Sequence, residues 1–214
     1  MGADFGMTSV GSRPIRVLLV DDHPALREGT AELMAHDSDL DVVGAVGALA
    51  EARRAITDGN VDVVVLDIRL QGERGLDLLA EAQERPEGPA IVVWTAYDLP
   101  QYVSYAFRHG ASGFVLKTAP THELIEAIHE AAAGRVRFAA RPNLQAHALT
   151  PREHALLAHL VAGLSNDEIA TEMGVTTRTV ESHLTRLYER FDARSRTELA
   201  ARTAREGWLD VPPG

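Results

Sequence analysis

Apolar residues along the first part of the chain fall into short runs closed by turn signals: RVLLVDD, LDVVGAVG, VDVVVLDIR, PAIVVWTA and SGFVLK. In Val63–Leu66 and Ile91–Trp94 the apolar positions are consecutive rather than alternating. Consecutive apolar residues suit strands whose two faces are both covered by helices in a parallel sheet. Between the runs the apolar residues recur at helical spacing, predicting helices over Pro24–His36, Leu49–Asp58, Leu76–Glu84, Pro100–His109 and Thr121–Ala133. Gly59, Gly110 and Gly134 stand where three of these helices should stop. Strands that alternate with helices in this way predict an α/β doubly wound, five-stranded parallel sheet.

After Gly134 the pattern changes. The stretch RVRFAARPNLQAHA has little periodicity and contains a proline, and reads as a linker over residues 135–148. Beyond it everything reads as helix. Three Ser/Thr-x-x-Glu capping boxes mark starts, at Thr150 with Glu153, Ser165 with Glu168 and Ser195 with Glu198, with Pro151 at a first helical position. In TEMGVTTRTVESHL a glycine follows one helix and Thr176 caps the next, a helix-turn-helix pattern. Along that second helix, Thr177 to Arg190, the residues Val180, Leu184, Leu187 and Phe191 form an apolar stripe. Arg178, Ser182, Thr185 and Arg186 are left on the opposite face, with Glu181 at its edge. The expected organisation is a disordered N-terminal extension over 1–14, an α/β domain over 15–134, the linker, a helix-turn-helix domain over 149–208 and a tail over 209–214.

A length of 214 residues fits two domains. The absence of cysteine excludes disulfides, thiolate metal sites and cysteine nucleophiles. No apolar run approaches the ~18 residues of a membrane span, and the opening MGADFGMTSVGSRP lacks the apolar core of a signal peptide, so a cytoplasmic location is expected. The formal charge of -10 argues against nucleic-acid binding if taken globally. It is unevenly spread: residues 1–148 carry 13 Lys+Arg against 21 Asp+Glu, and residues 149–214 carry 8 against 10. Arginine outnumbers lysine 20 to one, which makes Lys117 conspicuous. A compact ammonium on a flexible stem touches a single oxygen in a crowded site, where a planar guanidinium fork does not fit.

Ligands of a parallel sheet bind outside the carboxyl ends of its strands. Those ends carry Asp21 and Asp22 after the first strand, Asp67 after the third, Thr95 at the fourth and Lys117 at the fifth. Three carboxylates at one edge repel one another unless a cation lies among them, and an all-oxygen set suits Mg²⁺. His23 adjoins the pair, but Mg²⁺ prefers oxygen.

On these residues the region from Arg16 to Gly134 resembles the receiver domain of two-component response regulators, a flavodoxin-like fold. The resemblance implies that Asp67 accepts a phosphoryl group from a sensor histidine kinase and that Asp21, Asp22, Asp67 and the main-chain carbonyl of Arg69 hold Mg²⁺. It further implies that Thr95 and Lys117 contact the phosphoryl oxygens and that Thr95 and Phe114 form the switch. Many receivers have proline where Thr118 stands and Met-Pro where this chain reads Leu70-Gln71. Through LTPRE, GLSNDEIA, GVTTRTVESHL and RSRTEL, residues 149–207 resemble the LuxR-type domain of the NarL/FixJ subfamily. This implies a helix from Asn166 to Met173 supporting a recognition helix whose Thr177, Arg178, Glu181, Ser182, Thr185 and Arg186 face double-stranded DNA.

The resulting expectation is a transcription regulator switched by aspartyl phosphorylation, a homodimer when active, on an inverted-repeat operator. It is not expected to be an enzyme beyond assisting its own phosphorylation and dephosphorylation. Two alternatives remain open from the residues. One is a phosphorylation-independent DNA- or partner-binding regulator with a vestigial acidic cluster. The other is a Mg²⁺-dependent phosphatase, although Arg69 stands where such enzymes carry a second aspartate.

Overall fold

The computed structural model describes residues 13–70, 72–82, 87–138 and 149–211. Residues 1–12 of the expected N-terminal extension, 139–148 of the linker, 212–214 of the tail, Gln71, and the predicted helix end at Glu84 lie outside the described residues. By their contacts, the described residues of Met1–Ala96 and Gly110–Ala139 form one compact unit, and those of Tyr97–His109 and Ala140–Gly214 a second.

The first unit is built on β1 (Ile15–Val20), β2 (Leu40–Val46), β3 (Val63–Leu66), β6 (Ala90–Thr95) and β7 (Gly113–Leu116), all parallel in the order β2-β1-β3-β6-β7. The strand order reverses beside β1, so β1 and β3 lie at the centre of the sheet, where the ligand crevice of such folds opens. Val17–Val20 and Val63–Leu66 are fully buried, as consecutive apolar residues predicted. On one face Val17, Leu19, Val63, Val65, Val92 and Trp94 pack with Met34 of α1 (Pro24–Met34) and with Leu124, Ala127, Ile128 and Ala131 of α5 (Thr121–Ala132). The helix α2 (Leu49–Thr57) packs against β1 and β2.

Helix α1 ends two residues before its predicted end, and α2 and α5 end one residue early, because Ala35, Asp58 and Ala133 serve as C-caps rather than helical residues. Gly59 and Gly134 follow with positive φ, as stop signals. Two features were not predicted. A small antiparallel hairpin, β4 (Arg69–Leu70) with β5 (Glu73–Arg74), separates β3 from α3 (Gly75–Ala82). Past α5, Arg137 pairs with the edge of β7: its N–H donates to Ser112 O at 2.8 Å and its carbonyl accepts from Phe114 N–H at 3.2 Å.

The second unit contains α4 (Pro100–Arg108) together with α6 (Pro151–Val161), α7 (Asn166–Glu172), α8 (Thr177–Arg190) and α9 (Arg196–Arg205). The predicted stripe Val180, Leu184, Leu187 and Phe191 is buried against Leu156, Leu157, Leu160, Ile169, Leu199 and Trp208. Full capping boxes form at Thr150 with Glu153 and at Ser165 with Glu168. At the third expected box only half forms. The Ser195 hydroxyl accepts from Glu198 N–H, but with Ser195 extended (φ -154°) the Glu198 carboxylate takes the N–H of Arg194 instead.

Candidate functional site

Each strand that carries a candidate group ends where that group begins, so the sheet delivers them to one edge. Asp21 follows β1 directly, Asp67 follows β3, Thr95 is the last residue of β6 and Lys117 follows β7. Asp21, Asp67 and Thr95 are buried, at 0%, 3% and 0% exposure. The ladder extends into these residues: Asp67 N–H donates to Val20 O at 2.9 Å and Lys117 N–H donates to Thr95 O at 2.7 Å. The chain also closes tightly behind Asp67. Gly75 N–H donates to Ile68 O at 2.9 Å, and a Cβ on Gly75 would stand 2.0 Å from the Asp67 carbonyl oxygen, so only glycine fits.

The lone lysine occupies the centre. Its Nζ lies 2.7 Å from Asp21 Oδ2 and 2.5 Å from Asp67 Oδ2, and 5.1 Å from the centre of the Trp94 ring. Burial disfavours charge on Lys117, but its close contacts with the Asp21 and Asp67 carboxylates outweigh that and raise it above an ordinary lysine. Burial pushes the Asp67 carboxyl up, against the pull of the Lys117 ammonium and of the Arg69 N–H. Three carboxylates, of Asp21, Asp22 and Asp67, stand at the edge against the single ammonium of Lys117.

Asp21, Asp22, His23 and Asp67 each offer a ligand atom, all within 4.8 Å of one another. Asp21 Oδ2 and Asp22 Oδ1 are buried without a hydrogen bond of good geometry, each meeting only a nearby charge-bearing group, Lys117 and His23 respectively. His23 Nδ1 lies 2.8 Å from Asp22 Oδ1, while the ring is largely exposed. Underused carboxylate oxygens converging beside an open edge fit a hard, oxygen-seeking divalent cation such as Mg²⁺, and the donor set fits it without the imidazole. Arg69 lies in β4, its N–H donating to Asp67 Oδ1 at 3.3 Å. Phe114, in β7, is half-buried. Thr118 continues a turn in which Ala119 N–H donates to Leu116 O at 2.9 Å, so the peptide after Lys117 turns without a proline.

The second set of candidates lies on α8. Arg178, Glu181, Ser182, Thr185 and Arg186 are exposed on the face opposite the buried stripe. Among the described residues Arg178 and Arg186 carry no ion pair, whereas Arg190 pairs with Glu153 at 2.9 Å. Thr177 is half-buried and its hydroxyl donates to Asp167 Oδ1 at 2.6 Å, tying the first turn of α8 to α7. The Thr185 hydroxyl donates back to Glu181 O at 3.0 Å. Thr176 caps the helix by accepting from Thr179 N–H. The free N-terminal half of a helix seated on a second helix, with unpaired guanidinium groups, is suited to enter a DNA groove.

Sequence reading passed over Arg27. Its Nη1 donates to the main-chain oxygen of Asp21 at 2.6 Å. An arginine inside an amphipathic helix carries no signal of such a contact. No helix among the described residues is long and apolar enough to cross a membrane.

Residues 17–129 match the family described as response regulator receiver domain, and residues 147–203 match the bacterial regulatory proteins of the luxR family. The chain is similar to the DNA-binding transcriptional activator DevR/DosR of Mycobacterium tuberculosis, with 34% identity over 214 residues, 94% of this chain and 98% of the relative. With the nitrate/nitrite response regulator protein NarL of Escherichia coli it shares 31% identity over 202 residues, 87% of this chain and 94% of the relative. The solved response regulator RcsB of Salmonella typhimurium superposes with a TM-score of 0.68 at 19% identity, covering 89% of this chain and 99% of that one, a likeness of fold.

Proposed function

The chain belongs to the response regulators that join a receiver domain to a LuxR-type helix-turn-helix domain, and from that premise we propose that Asp67 is its phosphoacceptor. The protein is a DNA-binding transcriptional response regulator. Regulators of this type bind DNA and a cognate kinase. In the proposed reading the receiver spans 15–134 and the DNA-binding domain 149–208. Signalling runs from a sensor histidine kinase to Asp67 and then to a homodimer on an inverted-repeat operator, in the cytoplasm.

One Asp67 carboxylate oxygen forms the new bond to phosphorus as the bond from phosphorus to the kinase histidine nitrogen breaks, and the electron pair leaves with that nitrogen. Asp21, Asp22, Asp67 and the Arg69 carbonyl would hold Mg²⁺, which neutralises charge on the transferring group when bound. Lys117 holds one Asp67 oxygen before transfer. Its flexible stem lets the ammonium swing onto a phosphoryl oxygen afterwards, and Thr95 supplies the second contact. Phe114 follows the movement of Thr95. Arg178 and Arg186 supply positive charge toward the duplex, with Thr177, Glu181, Ser182 and Thr185 on the same face.

The observation that carries this reading is the convergence of Asp21, Asp22 and Asp67 at one sheet edge around the lone lysine. Incubation with acetyl phosphate and Mg²⁺, followed by intact-mass measurement, tests it. Wild type is expected to gain one phosphoryl group and Asp67→Asn none. Equal adduct in both would overturn the assignment.

A further inference from the structure

Each polar atom of Asp21 meets a neighbour, three by hydrogen bonds and Oδ2 by charge alone. Its N–H donates to Val46 O at 3.0 Å. Its Oδ1 accepts from His23 N–H at 2.8 Å, and its Oδ2 lies 2.7 Å from Lys117 Nζ. Its carbonyl oxygen accepts from Arg27 Nη1 at 2.6 Å. Three of these four partners follow from the sheet, the turn and the lone lysine. The fourth comes from a half-buried side chain on α1 that reaches back to the end of β1.

The space that receives this guanidinium is supplied by Gly47, just past β2. A Cβ there would lie 3.1 Å from Arg27 Nη1, 3.8 Å from its Cζ and 3.8 Å from Asp21 O. Any side chain at this position therefore crowds the contact between Arg27 and Asp21.

We infer that Arg27 is a positioning residue for the acidic cluster, acting through the peptide that joins Asp21 to Asp22. The peptide group is planar, so the direction of the Asp21 carbonyl fixes the N–H and Cα of Asp22. Asp22 offers the cation a carboxylate oxygen, and the aim of that side chain is set from its Cα. A carbonyl at the end of a strand that loses its donor turns to find another, and the Asp22 carboxylate turns with it. The guanidinium also places a permanent positive charge beside carboxylates that repel one another. This role rests on the reading of Asp21, Asp22 and Asp67 as a divalent-cation site.

The test is a Mg²⁺ titration of the full chain carrying Trp208→Phe, followed by the emission of Trp94, whose ring lies 5.1 Å from Lys117 Nζ. Asp22→Asn reports on the cation site itself. Arg27→Ala is expected to weaken Mg²⁺ binding by about tenfold, the scale seen when groups that orient metal ligands are removed. Arg27→Lys, which keeps one donor and the charge, is expected to recover part of the loss. Gly47→Ala should weaken binding by itself but add nothing in the Arg27→Ala background, since both changes act on one contact. Phosphorylation by acetyl phosphate at saturating Mg²⁺ should stay near wild type in Arg27→Ala, as expected for a loss of cation affinity rather than of the acceptor.

If Asp22→Asn weakens binding while Arg27→Ala does not, or if the Arg27 and Gly47 effects simply add, the role for Arg27 is overturned and the cation site stands. If Asp22→Asn leaves Mg²⁺ affinity unchanged, the cation site falls and this role falls with it. Thermal unfolding in EDTA identifies a variant that does not fold, in which case Arg27→Gln and Gly47→Ala decide by the same criteria.

Discussion

The Lys117 side chain is 9% exposed, and its ammonium meets carboxylates at the ends of two different strands, beside the ring of Trp94. Those oxygens approach a single point from two sides, a geometry that suits a compact three-donor head. A guanidinium carries its charge on a rigid plane of larger size, so arginine here must displace the ring or one carboxylate. In the proposed mechanism it also loses the freedom of the lysine stem to trade an Asp67 oxygen for a phosphoryl oxygen. Lys117→Arg preserves charge and is nonetheless expected to fail in switching. Acetyl phosphate should still label Asp67, while the labelled protein gains neither dimer by light scattering nor DNA affinity by fluorescence anisotropy. A Lys117→Arg protein that dimerises and binds DNA like wild type would reduce the single lysine to an accident of composition.

The helix starts of the second unit are built from short-range hydrogen bonds whose strength can be followed by pH. In α6, Thr150 Oγ1 accepts from Glu153 N–H at 3.3 Å, and the Glu153 carboxylate accepts from Thr150 N–H at 2.8 Å. Burial pushes the Glu153 carboxyl up, but its hydrogen bonds from Thr150 and from Arg190 prevail and hold it below the ordinary glutamate value. A carboxyl depressed by folding stabilises the folded state above its unfolded pKa, about 4.3, and that contribution disappears as pH falls through the lower folded value. Thr150→Ala is expected to cost about 1 kcal/mol at neutral pH. It should cost less in acid, where Glu153 is protonated in wild type as well; calorimetry of the C-terminal unfolding transition over that range measures both. The same capping pattern explains what could be read from the sequence. Thr150 with Glu153, Ser165 with Glu168 and Ser195 with Glu198 marked the three helix starts because donor and acceptor lie three residues apart, but in the last the preceding Arg194 N–H takes the carboxylate, so the box is only half formed. The five strands and the residues at their ends were legible from consecutive apolar runs. The β4–β5 hairpin, two residues on each side, is too short to leave a periodicity. The pairing of Arg137 with β7 and the contact of Arg27 with Asp21 depend on partners far away in sequence, which no local pattern encodes.

At the scale of the whole chain a DNA-binding protein with a formal charge of -10 must concentrate what positive charge it has on one face. The part from residue 149 onward carries 8 Lys+Arg against 10 Asp+Glu, and several of those arginines are spent internally, on Glu153 by Arg190 and on Glu206 by Arg202 and Arg205. Arg178 and Arg186 remain exposed on α8, with Glu181 exposed between them. An acid on that face has two physical uses. It can accept a hydrogen bond from the exocyclic amine of cytosine, worth roughly 1 to 3 kcal/mol of discrimination at one position. Alternatively it repels phosphate everywhere, keeping a single domain from holding random DNA so that occupancy depends on two domains binding together. The second use accords better with a chain in which acids outnumber bases by ten. Glu181→Lys is therefore expected to strengthen binding to specific and scrambled duplexes alike. It should also steepen the dependence of affinity on salt by about 0.9 in log–log slope for each new phosphate contact. Anisotropy titrations of both duplexes at two salt concentrations measure this. Binding to the scrambled duplex that is equal or weaker than wild type, with discrimination lost at one operator position, would identify Glu181 as a base reader instead.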